Sequence, residues 1–115
     1  MDEKSLRLNI ETDDSNCCSV FSLEGPLLLG NFFEFQRQVR ANTSDLLVLD
    51  LRGVPYIDSA GIGALVGAYV SREPSGRKVV LVGVNDRVAT ALKVSKVESL
   101  FPFAATVEAA KAQAA

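Results

Sequence analysis

Apolar and polar residues alternate with a period of two at the start of the chain. Leu6, Leu8 and Ile10 stand between Arg7, Asn9 and Glu11. That spacing predicts a half-buried β-strand. Thr12–Asn16 is a run of turn formers, and Val20, Phe21 and Leu23 then give a second strand ending at Gly25-Pro26. Two such runs around a short turn predict an antiparallel hairpin at a sheet edge. The period then changes. Phe32, Phe35 and Val39 recur at helical spacing among Gln36, Arg37, Gln38 and Arg40. Asn31 and Glu34 are spaced as a capping box before them, and Asn42-Thr43-Ser44 stops the helix. Phe33 lies off that stripe, with the hairpin as one surface it could pack against.

Leu46-Leu47-Val48-Leu49 is a continuous apolar run between Asp45 and Asp50. Short and rich in branched residues, it predicts a central strand covered on both faces. Gly53-Val54-Pro55 breaks it. A second helix is expected from near Ser59 to about Ser71, with Ile62, Leu65, Val66 and Tyr69 as its core stripe. After a turn at Pro74-Ser75-Gly76, Val79–Val82 gives another buried strand. A third helix follows, capped by Asp86, with Val88, Ala91, Leu92 and Ser95 inward. Phe101-Pro102-Phe103 begins a last short strand, and Thr106 caps an Ala-rich terminal helix. The order is β-β-α-β-α-β-α-β-α. Alternating strands and helices make right-handed parallel crossovers, so the fold class is α/β, with a mostly parallel mixed sheet and an antiparallel hairpin at its start.

Composition narrows the chemistry. The 115 residues are 48% hydrophobic and 23% charged, with no histidine and no tryptophan. That is one domain with a real core, expected to span 1–115. Without His there is no Ser-His or Cys-His nucleophile pair and no His-ligated metal. Cys17 and Cys18 are adjacent, with Cα atoms about 3.8 Å apart, below the usual disulfide range of about 4.4–6.8 Å. They are also too few for a structural zinc. Net charge is −2, so the chain lacks a basic nucleic-acid footprint. The charge is uneven: residues 1–51 carry −5 and residues 72–96 carry +4. No apolar run approaches the roughly 20 residues of a membrane helix, and the acidic start is no signal peptide. The expectation is a cytoplasmic domain, not an enzyme, with no cofactor, metal, nucleic acid or membrane insertion. Its oligomeric state, monomer or weak dimer, is left open.

The informative stretch runs from Val48 to Leu65: a buried strand, a loop through Tyr56-Ile57-Asp58, and a helix opening at Ser59-Ala60-Gly61-Ile62-Gly63-Ala64. A helix N-terminus carries unpaired N–H groups and partial positive charge. A hydroxyl there serves either as an N-cap or beside a site for an anion. Asp58 alone could supply the cap. The helix is also unusually small-sided. Gly61, Gly63 and Gly67 each cost about 1 kcal/mol relative to Ala, and Ala60, Ala64 and Ala68 extend the same surface. Either close packing on the chain's own sheet or a partner chain must offset that cost. No phosphate-cradling or dinucleotide motif is present. Asp50 and Asp58 lie at opposite ends of one connection, with no second acid or base beside them.

The run from Leu46 to Leu65 resembles the central signature of STAS domains, the fold of bacterial anti-sigma factor antagonists: apolar strand, Asp, a few residues, Ile-Asp-Ser-small-Gly, helix. The resemblance extends from about Leu6 to Ala112, with Lys78–Val82, Val88–Val97 and Leu100-Phe101 matching the later elements. It implies that Ser59 is a phosphate acceptor, modified by an anti-sigma factor that is also a serine kinase and restored by a phosphatase. It implies that the unmodified form binds the anti-sigma factor and frees a sigma factor. On that reading Asp58, Ser59, Ala60, Gly61, Gly63, Ala64 and Gly67 form the partner-binding face. Two positions depart from the common pattern. Gly25-Pro26-Leu27-Leu28 lacks the Asp many members carry before the first helix, and Ala60 replaces the usual second serine. The alternative implied by the same family is an accessory STAS module without a phosphate cycle, such as the cytoplasmic subunit of a lipid-transport ABC system.

Overall fold

The computed structural model describes residues 5–114. One five-stranded sheet runs in the order β1-β2-β3-β4-β5. β1 (Arg7–Thr12) pairs antiparallel with β2 (Cys18–Glu24), and every later pairing is parallel. β3 (Leu46–Gly53) is the central strand, flanked by β4 (Lys78–Val82), with β5 (Phe103–Ala104) at the far edge. Among the described residues four α-helices connect and cover it: α1 (Phe33–Ala41), α2 (Ser59–Arg72), α3 (Asp86–Val94) and α4 (Val107–Ala114). This is the order the periodicities predict.

The run Leu46–Leu49 explains the layering. Successive strand side chains face opposite ways, so Leu47, Leu49 and Leu51 join one core while Leu46 and Val48 join another. The first core holds Phe35 and Val39 of α1, Ala64, Leu65 and Ala68 of α2, and Val88 and Leu92 of α3. The second is closed by Ala110 of α4. Leu47 and Leu49 are fully buried, each worth roughly 1.5–3 kcal/mol against exposure.

Local details correct several expectations. Asn31 turns its amide toward the preceding loop: its Oδ1 accepts from Leu28 N at 2.9 Å and its Nδ2 donates to the Pro26 carbonyl at 2.8 Å. Phe32 takes the N-cap position of α1 without a side-chain cap bond. Phe33 packs on Phe32, ring centroids 4.5 Å apart, and is otherwise exposed, so it does not cover the hairpin. The cap of α3 is Asn85, accepting from Val88 N at 2.8 Å, because Asp86 is already helical. Ser95 is exposed at the end of α3 and not on its inner face. Thr106 does cap α4, accepting from Ala109 N at 3.0 Å. Gly76 closes the turn before β4 at φ +74°, a conformation that favours glycine. Cys17 and Cys18 are free thiols.

Candidate functional site

The loop after β3 returns to the sheet edge of the β2–α1 connection. Leu27 and Ile57 form a parallel bridge. Leu27 N donates to the Tyr56 carbonyl, and Asp58 N donates to the Leu27 carbonyl, both at 3.3 Å. This brings the start of α2 against the segment that leads into α1. Asp58 then locks the two together. It is the N-cap of α2: Oδ1 accepts from Gly61 N at 2.9 Å, while Oδ2 accepts from Leu29 N at 3.0 Å. Partial burial pulls its carboxyl upward, but hydrogen bonds from Gly61, Leu29 and Ala60 N–H groups outweigh that and hold it below its ordinary value.

Because Asp58 is the cap, Ser59 is not. Ser59 is the first helical residue and its side chain is exposed. Its hydroxyl stands at the positive end of a 14-residue helix, where an anion is favoured. The position carries no capping duty that would explain a serine there.

The small-sided surface of α2 divides in two. Gly61 is buried, and a Cβ added to it would be driven into the Leu27 carbonyl oxygen. Ala64 is 4% exposed and Ala68 2% exposed, both packed in the core with Leu65. Gly61 and Ala64 are therefore packing residues, which corrects their place in the expected partner-binding face: close approach of the helix to its own loop and sheet requires them. Gly63 and Gly67 point the other way, with open space where a Cβ would stand. Ala60 and Asp58 are partly exposed. The expected core stripe also shifts. Leu65 is buried as predicted, but Ile62, Val66 and Tyr69 are only partly buried, and Arg72 closes the inner face.

Asp50 does not belong to this site. It is buried near the end of β3 and bound by Arg52 through Nε to Oδ1 at 2.9 Å and Nη2 to Oδ2 at 2.7 Å. That pairing holds its carboxyl below the usual range despite burial.

Three features escaped the sequence. Asp58 reaches Leu29 N as well as its own helix, a contact between residues 29 positions apart. Leu29 and Phe33, neither of them on the helical stripe of Phe32, Phe35 and Val39, are 65% and 66% exposed beside this corner. Arg72 is 2% exposed, although a cation ending a helix reads as a solvated partner of the helix dipole. Only the first had a signal: an N-cap carboxylate has two oxygens and its own helix used one.

Comparison with known proteins places this geometry. The STAS domain family model matches residues 7–110. An anti-sigma factor antagonist from Mycobacterium paratuberculosis shares 19% identity and superposes with a TM-score of 0.85, covering 97% of this chain and 96% of that one. The Bacillus cell fate determinant SpoIIAA in its phosphorylated form shares 15% identity at a TM-score of 0.73, covering 95% and 100%. The murine solute carrier 26 family member A9 anion transporter, in its inward-facing state, shares 20% identity at a TM-score of 0.75, with 97% of this chain matching 22% of that protein. At these identities the likeness shows the fold alone. Among the described residues, no helix is long and apolar enough to cross a membrane.

Proposed function

The chain belongs to the STAS domain family, and from that premise we propose that it is an anti-sigma factor antagonist switched by reversible phosphorylation of Ser59. The observation that carries this reading is the division of labour at the start of α2. Asp58 does the capping, and Ser59 is left exposed with a hydroxyl that makes no hydrogen bond among the described residues. Its partner on this reading is an anti-sigma factor with serine kinase activity, and a phosphatase resets the cycle.

The physics of the switch is local. In the unmodified form Ser59, Gly63 and Gly67 present a face with little side-chain bulk, edged by Leu29, which lets a partner backbone come close. A phosphate adds roughly −1.5 to −2 charge. That charge joins the neighbouring Asp58 carboxylate, and docking would have to desolvate both beside partner groups, so the contact fails. The fold is unaffected, because the phosphate sits outside the core at a helix end that tolerates an anion.

The test is partner affinity and melting temperature for wild type, Ser59→Ala and Ser59→Asp, with mass spectrometry to map the phosphate. Ser59→Ala is expected to bind constitutively. Ser59→Asp is expected to lose about 100-fold in affinity while its melting temperature moves by less than about 5 °C. A phosphate mapped mainly to Ser5, Ser71 or Ser95 would sink the reading. Equal affinity for all three proteins would favour the competing one, an accessory module without a phosphate cycle. That alternative draws its support from Leu28, where many family members carry Asp.

A further inference from the structure

At the opposite end of the strands from Ser59, the start of β4 stands between two open cavities of about 490 and 360 Å³ that share Gly76 and Lys78. The larger is within the range of small-molecule sites, roughly 300–1,000 Å³. Its wall is largely apolar. Tyr69 comes from the last part of α2, Val80 from β4, and Leu100 and Pro102 from the link into β5. The Tyr69 ring is fixed edge-on against buried Phe101, centroids 6.1 Å apart. The charged lining is mainly cationic, Arg77 and Lys78 with a single carboxylate, Glu73, and Gln113 of α4 adds a neutral amide. The smaller cavity adds Lys111 of α4, with Asp45 as its carboxylate.

These cations stand outside the close ion pairs of the fold, although Lys111 also acts at longer range on the Asp13 carboxylate. The ion pairs among the described residues are Arg7–Glu24, Arg37–Glu34 and Arg52–Asp50, and none involves Arg77, Lys78 or Lys111. Arg72 places a further positive charge close by: its guanidinium is disfavoured first by burial and then by the charge of Arg77, and the Asp45 carboxylate offsets these only in part. Like charges held together repel, and an anion relieves that repulsion. They also account for three members of the basic stretch between residues 72 and 96, a feature the Ser59 site does not absorb.

We propose that this cleft binds an amphiphilic anion: a single anionic head at Arg77 and Lys78, on an apolar body laid against Tyr69, Leu100 and Pro102. Both halves of the ligand follow from the lining. A small polar anion alone would leave the apolar wall wet, and a neutral hydrocarbon would leave the cations without a counter-charge. Tyr69 lies ten residues beyond Ser59 on the same helix, about 15 Å along its axis. The cleft and the Ser59 face are therefore separate surfaces that can be occupied together.

The test uses the full chain and anilinonaphthalene sulfonate as the probe, titrated by fluorescence and mapped by nitrogen–proton correlation spectra. Saturable one-site binding is expected, with the largest shifts at Arg77, Lys78, Leu100 and Gln113 and none at Ser59. Decanoate should displace the probe, and inorganic phosphate at equal concentration should not. Arg77→Gln with Lys78→Gln should weaken binding by about tenfold or more, the loss expected for contacts to a charged group. Arg87→Gln with Lys93→Gln, elsewhere in the basic stretch, should leave it unchanged. The single variant Lys78→Gln, at an exposed position, serves if the double variant melts early. The proposal is overturned by shifts spread over the surface or centred on Ser59. Wild-type affinity in the Lys78→Gln variant, displacement by phosphate but not decanoate, or no saturable binding would overturn it equally.

Discussion

The two ends of α2 are anchored by opposite means. At its N-terminus the helix is held by backbone: Gly61 packs against the Leu27 carbonyl, and Asp58 accepts from Gly61 N and Leu29 N. Nothing charged is buried deeply there, and Ser59 stays in solvent. At its C-terminus the helix is held by a buried cation. Arg72 Nη1 donates to Asn42 Oδ1 at 2.9 Å, and Nη2 donates to the Ser44 carbonyl, while Nε has no partner among the described residues. That guanidinium rests on a polar cluster in which Ser19 and Ser44 hydroxyls meet at 2.6 Å, Asn42 Nδ2 reaches Ser19 at 2.8 Å, and Ser44 donates to Asn16 at 2.9 Å. The contrast teaches where a small domain can place a surface switch. An end fixed by backbone contacts can leave its side chains free for a partner. An end fixed by a desolvated charge cannot change without disturbing its neighbours.

The sharpest way to break the comparison is at the glycines. Gly61→Ala forces a methyl group into a backbone carbonyl that has no rotamer to give. We expect a loss of about 3 kcal/mol, the upper range of overpacking, read by urea unfolding. Gly63→Ala, two positions away, meets open space and should gain about 1 kcal/mol from helix propensity. Equal behaviour of the two variants would mean that α2 does not dock on Leu27 as described.

The C-terminal anchor is tested by Arg72→Met, which keeps much of the length and removes the charge. The carbonyl of Ser44 and the amide oxygen of Asn42 then lose their buried donor. Each unsatisfied group costs about 1–3 kcal/mol, partly offset by no longer burying a guanidinium. A net loss of about 2 kcal/mol in thermal or urea unfolding is expected, with affinity for the Ser59 partner unchanged. Loss of partner binding in a folded Arg72→Met protein would show that the two ends are coupled.

What was legible in the sequence follows the same division. Period-two and helical spacing carried the element order, because burial on one or both faces writes itself into runs such as Leu46–Leu49. The strand–Asp-Ser-small-Gly–helix pattern carried the family and the position of Ser59. Which glycine faces inward was not legible. Gly61 and Gly63 look alike in a line of letters, and only the path of the Leu27 segment separates them. Burial of Arg72 was illegible for a related reason: its acceptors on Asn42 and Ser44 lie 28–30 residues away, and no local spacing announces them. Asn85 outcompeted Asp86 as the cap of α3 by one position, within the range over which helix ends shift.

The smallest expected effect sits at Asp58, and it sharpens the comparison through pH. The folded state holds this carboxyl below its ordinary value: burial raises it, and the donors of Gly61, Leu29 and Ala60 more than compensate. A folded value below the unfolded one means that the unfolded chain takes up the proton first as pH falls. The stabilisation is therefore complete above the unfolded value of about 3.9, and is lost as pH drops through the folded value. Asp58→Asn keeps one acceptor for Gly61 N, since Asn caps helices nearly as well as Asp. Its amide cannot offer a second acceptor to Leu29 N. At about pH 7 the variant should be less stable by about 1 kcal/mol, the worth of one hydrogen bond to a charged group at a partly exposed site. As pH falls through the folded value the gap should close, because the wild-type carboxyl is then protonating and losing the same interaction. Asp50 and Glu34 are also held below their ordinary values, but they are present in both proteins and cancel in the difference if the sites are independent. Urea midpoints of the two proteins across this pH range decide it. A gap that stays constant would mean the Leu29 contact does not depend on the charge of Asp58. The N-terminal anchor would then be backbone packing at Gly61 alone.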